Sequence, residues 1–199
     1  MLQPDISNST PALAREEWAS GGRVVFAAAT GLGVGVTLFG IISGMFIVPM
    51  QNEFGLTRMQ ASIAPMAGLG AALLTPIAAI IIDRNGSRPV AIVGLILLAV
   101  AYLMLAFMPT NVVVLYSIVA FIALIGTMSS TIVFSKGVAT WFVKNAGLAF
   151  ALTMTGTSVV AAIAFPALGY AIEQFGWRAG YLVLAAMVVL VGLPVVFLW

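Results

Sequence analysis

Groups able to do chemistry are scarce in these 199 residues, because only 7% are charged and neither cysteine nor histidine occurs. Without thiols or imidazoles there is no disulfide, no thiolate nucleophile, no haem ligation and no ordinary zinc site. No metal centre and no cofactor is expected, and no nucleophile–base pair that would make an enzyme is visible. What remains is the short run Asp83-Arg84-Asn85-Gly86-Ser87-Arg88, Lys136 inside an apolar run, and hydroxyls at Thr37, Thr127, Thr131, Thr153 and Thr157.

The run from Asp83 to Arg88 places both signs of charge in one turn. Asp83 can pair with Arg84 or Arg88, or face the positive N-terminus of another helix, an interaction worth about 0.3–1 kcal/mol. Gly86 supplies a position for positive φ. The plain reading is a solvated turn whose arginines set orientation; the functional reading is an ionic latch, weighed against the rule that surface pairs contribute little. Lys136 lies inside a long apolar run, where an ionisable group is costly and marks a substrate path or gate. It also sits about one turn, roughly 6 Å, from the end of that run, so it can instead snorkel to water. Thr127 and Thr131, like Thr153 and Thr157, are four residues apart and share a helix face. With Thr37 they either line a polar cavity or bond their own backbone within packed helices.

The elements that must hold these groups are membrane helices. A hydrophobic content of 62% and a mean hydropathy of +1.17 lie far outside the range of soluble domains. The apolar runs reach the roughly 20 residues that a helix needs to cross a bilayer, and no segment alternates by twos as a barrel strand would. The predicted architecture is all-α and integral to the membrane, with six transmembrane helices at about 24–48, 58–82, 90–108, 112–139, 146–172 and 179–199. Residues 1–22 are polar and read as a loosely ordered cytosolic tail. Pro65 and Pro76 predict a bend in the second span. Gly31, Gly35, Gly40 and Gly44 on the first span, and Gly68 on the second, are spaced to let backbones approach closely.

Arg15, Arg23, Arg84, Arg88, Lys136 and Lys144 fall on one side of this topology, and only Arg58 and Arg178 on the other. Basic residues in short loops collect on the cytosolic side, so both termini are expected inside a cell (inner or plasma) membrane. The net charge of +2 comes from these interfacial residues. No basic run suits nucleic acid, so the expected partner is the lipid bilayer.

At Asp83, Arg84, Gly86 and Arg88 the chain resembles the loop between helices two and three of the major facilitator superfamily, with Ala79 and Ser87 departing from the pattern. Phe39-Gly40 with Pro49-Met50-Gln51-Asn52-Glu53-Phe54-Gly55-Leu56-Thr57-Arg58 is similar to the first helix and external turn of its monocarboxylate-porter-like branch, which includes oxalate/formate antiporters. Trp141-Phe142-Val143-Lys144 before Gly147-Leu148-Ala149 and Gly156 resembles that branch's entry to helix five, and Phe175-Gly176-Trp177-Arg178-Ala179-Gly180-Tyr181 its turn into helix six. Asn145, Ala146 and Ala151 depart from it. The resemblance covers the chain from Val24 and implies the N-terminal six-helix half of a twelve-span fold. It implies secondary transport of a small organic anion, a mono- or dicarboxylate, by alternating access, as a symporter with protons or as an antiporter. The charged run would be a gating loop whose partner lies in a C-terminal six-helix half. That half is missing from this chain, which reads as a truncated or partial chain or as a half that pairs with a second copy. The competing expectation is a non-transporting membrane subunit or self-assembling half-bundle.

Overall fold

A computed structural model describes residues 9–61, 75–197 and 199, and among them every regular element is helical. The described chain opens with α1 (Ser9–Val34), α2 (Val36–Ile42) and α3 (Gly44–Phe54). A short α4 (Arg58–Ala61) follows. Next come α5 (Thr75–Asn85) and α6 (Ser87–Phe107). The next crossing is α7 (Val112–Gly126), a 3₁₀ turn Thr127–Ser129, and α8 (Thr131–Ala139). Then come α9 (Ala146–Phe175) and α10 (Trp177–Met187), a π-turn Val188–Gly192, and α11 (Leu193–Phe197).

Four of these stretches are long and apolar enough to cross a membrane: Ser87–Phe107, Val112–Ala139, Ala146–Phe175 and Trp177–Phe197. The pair Glu16–Val34 and Val36–Ile42, bent by 42°, makes a fifth. The span expected over 58–82 falls largely on 62–74, so Pro65 and Gly68 lie outside the described residues.

Three expectations are corrected. The tail is not loose throughout, since α1 starts at Ser9 and runs into the first crossing. The seven-residue turn expected at 83–89 contracts to one residue. Helix α5 continues to Asn85, Gly86 takes φ 85° with its N–H on the Ile82 carbonyl at 2.8 Å, and α6 begins at Ser87. Only glycine adopts that backbone without strain, and Pro89 sits in the first turn of α6, where its missing N–H costs no helical bond. The first external turn also shortens, because α3 carries Pro49 and ends only at Gly55 (φ 64°).

The last crossing is regular in composition but not in geometry. Pro194 has no N–H to give the Leu190 carbonyl, and the Leu193 N–H reaches back five residues to Val188, so a π-turn absorbs the mismatch. At the far end of α6, Asn111 starts the next helix by accepting the Val113 and Val114 N–H groups on its Oδ1 at 2.8 and 3.4 Å, the usual role of an N-cap side chain.

Lipid is as apolar as a leucine side chain, so these helices are held by packing and internal hydrogen bonds rather than by hydrophobic transfer. The core reflects that. Phe46 stacks on Tyr181 at 4.2 Å, Trp177 meets Tyr181 edge-on at 5.9 Å, and Tyr102 lies 6.4 Å from Tyr181, joining α3, α6 and α10. Ring pairs of this kind contribute about 0.5–1.5 kcal/mol each beyond their buried area. Where α1 crosses α9 the backbones touch: a Cβ on Gly156 would lie 2.3 Å from the Ala29 carbonyl oxygen.

Candidate functional site

Two breaks in the apolar crossings, at Gly35 and at Ser130, lie against each other. In the first crossing Gly35 is extended (φ −72°, ψ −170°) between α1 and α2. In the other, Ser130 is extended (φ −88°, ψ 170°) after the 3₁₀ turn. A Cβ on Gly35 would stand 2.5 Å from the Ser129 carbonyl oxygen, and one on Gly126 would stand 2.5 Å from Val36 Cγ2. A break frees backbone donors that lipid cannot satisfy; the Val36 N–H donates to Ser129 Oγ at 3.3 Å, and Ser129 is fully buried. Ser129 thus closes the gap in the neighbouring helix, a role that spacing along its own helix could not reveal.

The hydroxyls named from the sequence separate around these breaks. Thr127 is buried and donates to the Leu124 carbonyl at 3.0 Å, and Thr153 is buried and donates to the Ala149 carbonyl at 2.8 Å. Both take the backbone-bonded role. Thr157 is buried as well, whereas Thr37, second residue of α2, and Thr131, first residue of α8, are half-buried beside the two breaks. Of the glycines, Gly31 lies against Phe134 and Val196 and Gly35 against Ser129, but nothing stands within 4 Å of a Cβ at Gly40 or Gly44. The close approach expected there does not occur among the described residues.

At the basic end, Lys136 Nζ and Asp83 Oδ1 form an ion pair at 2.6 Å. Two groups that the sequence keeps 53 residues apart are therefore one feature. Asp83 pairs with neither Arg84 nor Arg88 among the described residues. Lys136, at the last turn of α8, extends out of the bundle with its side chain 39% exposed and Asp83 67% exposed, which is snorkelling with a partner. Arg88 instead donates Nη2 to the Phe197 carbonyl at 2.6 Å, satisfying a carbonyl freed at the end of α11. Trp199 stacks on Phe134 at 5.9 Å and lies on Gly137, where a Cβ would come within 1.8 Å of its ring.

Two carboxylates carry contacts that sequence reasoning missed. Glu17, placed in the supposed tail, accepts the N–H groups of Val143, Lys144 and Asn145 at 3.2, 3.0 and 3.1 Å and the Asn145 side-chain amide at 3.2 Å. It thereby holds the loop before α9 to α1, with Trp18 edge-on to Phe142 at 4.9 Å. At the opposite end Glu53 pairs with Arg178 Nη1 at 2.8 Å, and accepts from the Trp177 indole and from Thr110 Oγ1 at 3.3 Å. The Arg178 guanidinium also lies 4.5 Å over the Trp177 ring. The indole donor foremost holds the Glu53 carboxyl below its ordinary value; burial, next in size, opposes it, and Arg178 and Thr110 add to the lowering. Glu17 stands beside Arg15 and Glu16 in a polar stretch and Glu53 in the polar turn before Arg58, so neither position signalled its partner in advance. Among the described residues no group of His, Cys, Asp and Glu is placed to hold a metal ion.

The sequence profile of the Major Facilitator Superfamily matches residues 24–199. The chain belongs to that superfamily. Within it the chain is similar to monocarboxylate transporter 2 of Mus musculus, at 27% identity over 72% of this chain and 30% of that protein. It is also similar to the uncharacterised MFS-type transporter YhcA of Bacillus subtilis, at 34% identity over 41% of this chain and 17% of the relative. Monocarboxylate transporter 3 of Gallus gallus is 30% identical over 56% of this chain and 20% of its own length. The chain thus spans less than a third of the curated relatives it matches. Membership of the Major Facilitator Superfamily makes this a multi-pass membrane protein of a transport family rather than an enzyme, and its fold is part of the superfamily's helical membrane fold.

Proposed function

We propose that this chain is the N-terminal six-helix half of a secondary transporter that moves a small organic anion, a mono- or dicarboxylate, by alternating access, with both termini in the cytosol of the inner or plasma membrane. The observation that carries this reading is the meeting of two discontinuous crossings at Gly35 and Ser129 in a chain similar to monocarboxylate transporters. Irregular backbone inside a membrane is sustained where it is buried in protein or borders a cavity, and transporter substrate sites are built from such interrupted helices. Thr37 and Thr131, beside the breaks and not sealed, are the proposed substrate contacts, with Thr157 behind them; Thr127 and Thr153 support the helices. The completing partner is a second six-helix half, or a second copy of this one, and the coupling is to protons or to a counter-anion.

The Asp83–Lys136 pair is the proposed gate at the basic end, with Arg84, Gly86 and Arg88 shaping the corner that presents Asp83. A pair this exposed adds about 0.2–1 kcal/mol to stability, too little to hold the fold but enough to bias two conformations that differ by a few kcal/mol. The test is uptake of labelled carboxylates by the full-length protein in liposomes under an imposed pH or counter-substrate gradient. Wild type is expected to accumulate label. Asp83→Asn and Lys136→Met are expected to cut uptake severalfold while leaving the amount of folded protein unchanged. No uptake across a broad carboxylate panel returns the chain to the alternative of a non-transporting assembly module, and wild-type uptake by both variants removes the gate.

A further inference from the structure

Among the described residues three cations at the basic end, Arg23, Arg84 and Lys144, have side chains with no hydrogen bond or ion pair, and one of them borders a cavity. Asp83 holds Lys136, and the Phe197 carbonyl holds Arg88, whereas Arg23 on α1 is exposed and makes no hydrogen bond or ion pair among the described residues. Beside it lies a cavity of about 260 Å³ between α1 and α11, lined by Gly22, Arg23, Phe26 and Val195. Single waters each occupy about 30 Å³, so the space suits a larger guest. Its walls differ along the membrane normal. Phe26 is three residues further along α1 than Arg23, on the same face and about 4.5 Å deeper by helix rise, and it is 63% exposed. Gly22 leaves the mouth open, since a Cβ there would meet nothing within 4 Å. A charged rim above an apolar wall fits an amphiphile with an anionic head.

We propose that this cleft binds one acidic phospholipid, its phosphate on the Arg23 guanidinium and the first carbons of an acyl chain against Phe26 and Val195. The guanidinium fork matches phosphate oxygens in a bidentate pair, and basic pockets between transmembrane helices select anionic headgroups. The bound lipid would bridge the start of the first crossing and the end of the last. The proposal rests on membrane placement and not on transport, so a lipid result and an uptake result can fail separately.

Purified full-length protein is equilibrated with phosphatidylglycerol and phosphatidylcholine, washed in mild detergent, and its retained lipids counted by native mass spectrometry. One phosphatidylglycerol is expected to persist in preference to phosphatidylcholine. Arg23→Gln should lower its retention about fivefold, the effect of one basic residue near a lipid surface, and Arg23→Lys should restore most of it. Gly22→Leu, which blocks the mouth and leaves the charge, should also lose the lipid. Arg84→Gln, an exposed arginine at the same end outside the cleft, should retain it. Equal retention of the two lipids, unchanged retention in Arg23→Gln or Gly22→Leu, or an equal loss in Arg84→Gln overturns the proposal. So does displacement of the lipid by a second protein segment found seated in the cleft of the full-length protein.

Discussion

The contact between the two broken crossings makes a sharp quantitative claim at Gly35. A methyl group placed there would lie 2.5 Å from the Ser129 carbonyl oxygen, 3.1 Å from that of Gly31 and 3.4 Å from that of Leu32. Carbon–oxygen contacts between backbones settle at about 3.3–3.6 Å, so in Gly35→Ala the two crossings must separate by roughly 0.8 Å. Ser129 contributes a backbone atom at this point, and no side chain can rotate away. Overpacking of this kind costs about 1–3 kcal/mol. At φ −72° alanine suffers no backbone strain, and the lower entropy of its unfolded chain returns about 0.4–1 kcal/mol. A net loss of about 1–2 kcal/mol follows, or several degrees in midpoint for a chain of this size. Gly40 and Gly44 belong to the same four-residue spacing but meet nothing within 4 Å. Alanine there should leave stability unchanged or raise it by up to about 1 kcal/mol through helix propensity. Thermal unfolding in detergent, followed by circular dichroism, compares the three variants directly. A wild-type midpoint for Gly35→Ala, or a larger drop for Gly40→Ala than for Gly35→Ala, would refute the break-to-break contact.

The remaining predictions concern groups that sequence reasoning did not single out. Glu53→Gln should lower the unfolding midpoint at neutral pH, since the amide cannot match a carboxylate toward Arg178 and Trp177. Because folding holds the Glu53 carboxyl below its ordinary value of 4.5, its contribution is full above that value and fades as pH falls through the lower folded value; the gap between wild type and variant should therefore close in acid, and a gap constant with pH would sink this account. Tyr102 is fully buried and its hydroxyl has no hydrogen-bond partner among the described residues. Removing an unsatisfied buried donor relieves about 1–3 kcal/mol, so Tyr102→Phe should raise the unfolding midpoint, and a lowered midpoint would mean that the hydroxyl is bonded.

Much of the architecture was legible along the chain, because a helix in lipid must satisfy its own backbone and announces itself by length and hydropathy alone. The crossings at Ser87–Phe107 and Val112–Ala139 and the glycine corner at Gly86 are local consequences of local residues. The Asp83–Arg88 run was legible as a feature, but its partner was not: Asp83 has two arginines within five residues and pairs instead with Lys136, which only the packing of α5 beside α8 brings within reach. Glu17 likewise looked like a tail residue until the loop before α9 folded over α1 and offered it three N–H groups. The breaks at Gly35 and Thr127–Ser130 were invisible for a further reason. Glycine, serine and threonine are equally at home in a continuous membrane helix, and hydropathy is blind to backbone angle. A donor freed by a break is tolerable only if a neighbouring helix supplies an acceptor. Whether these helices run straight or break was therefore decided between crossings, where Ser129 meets Val36, and by no residue alone.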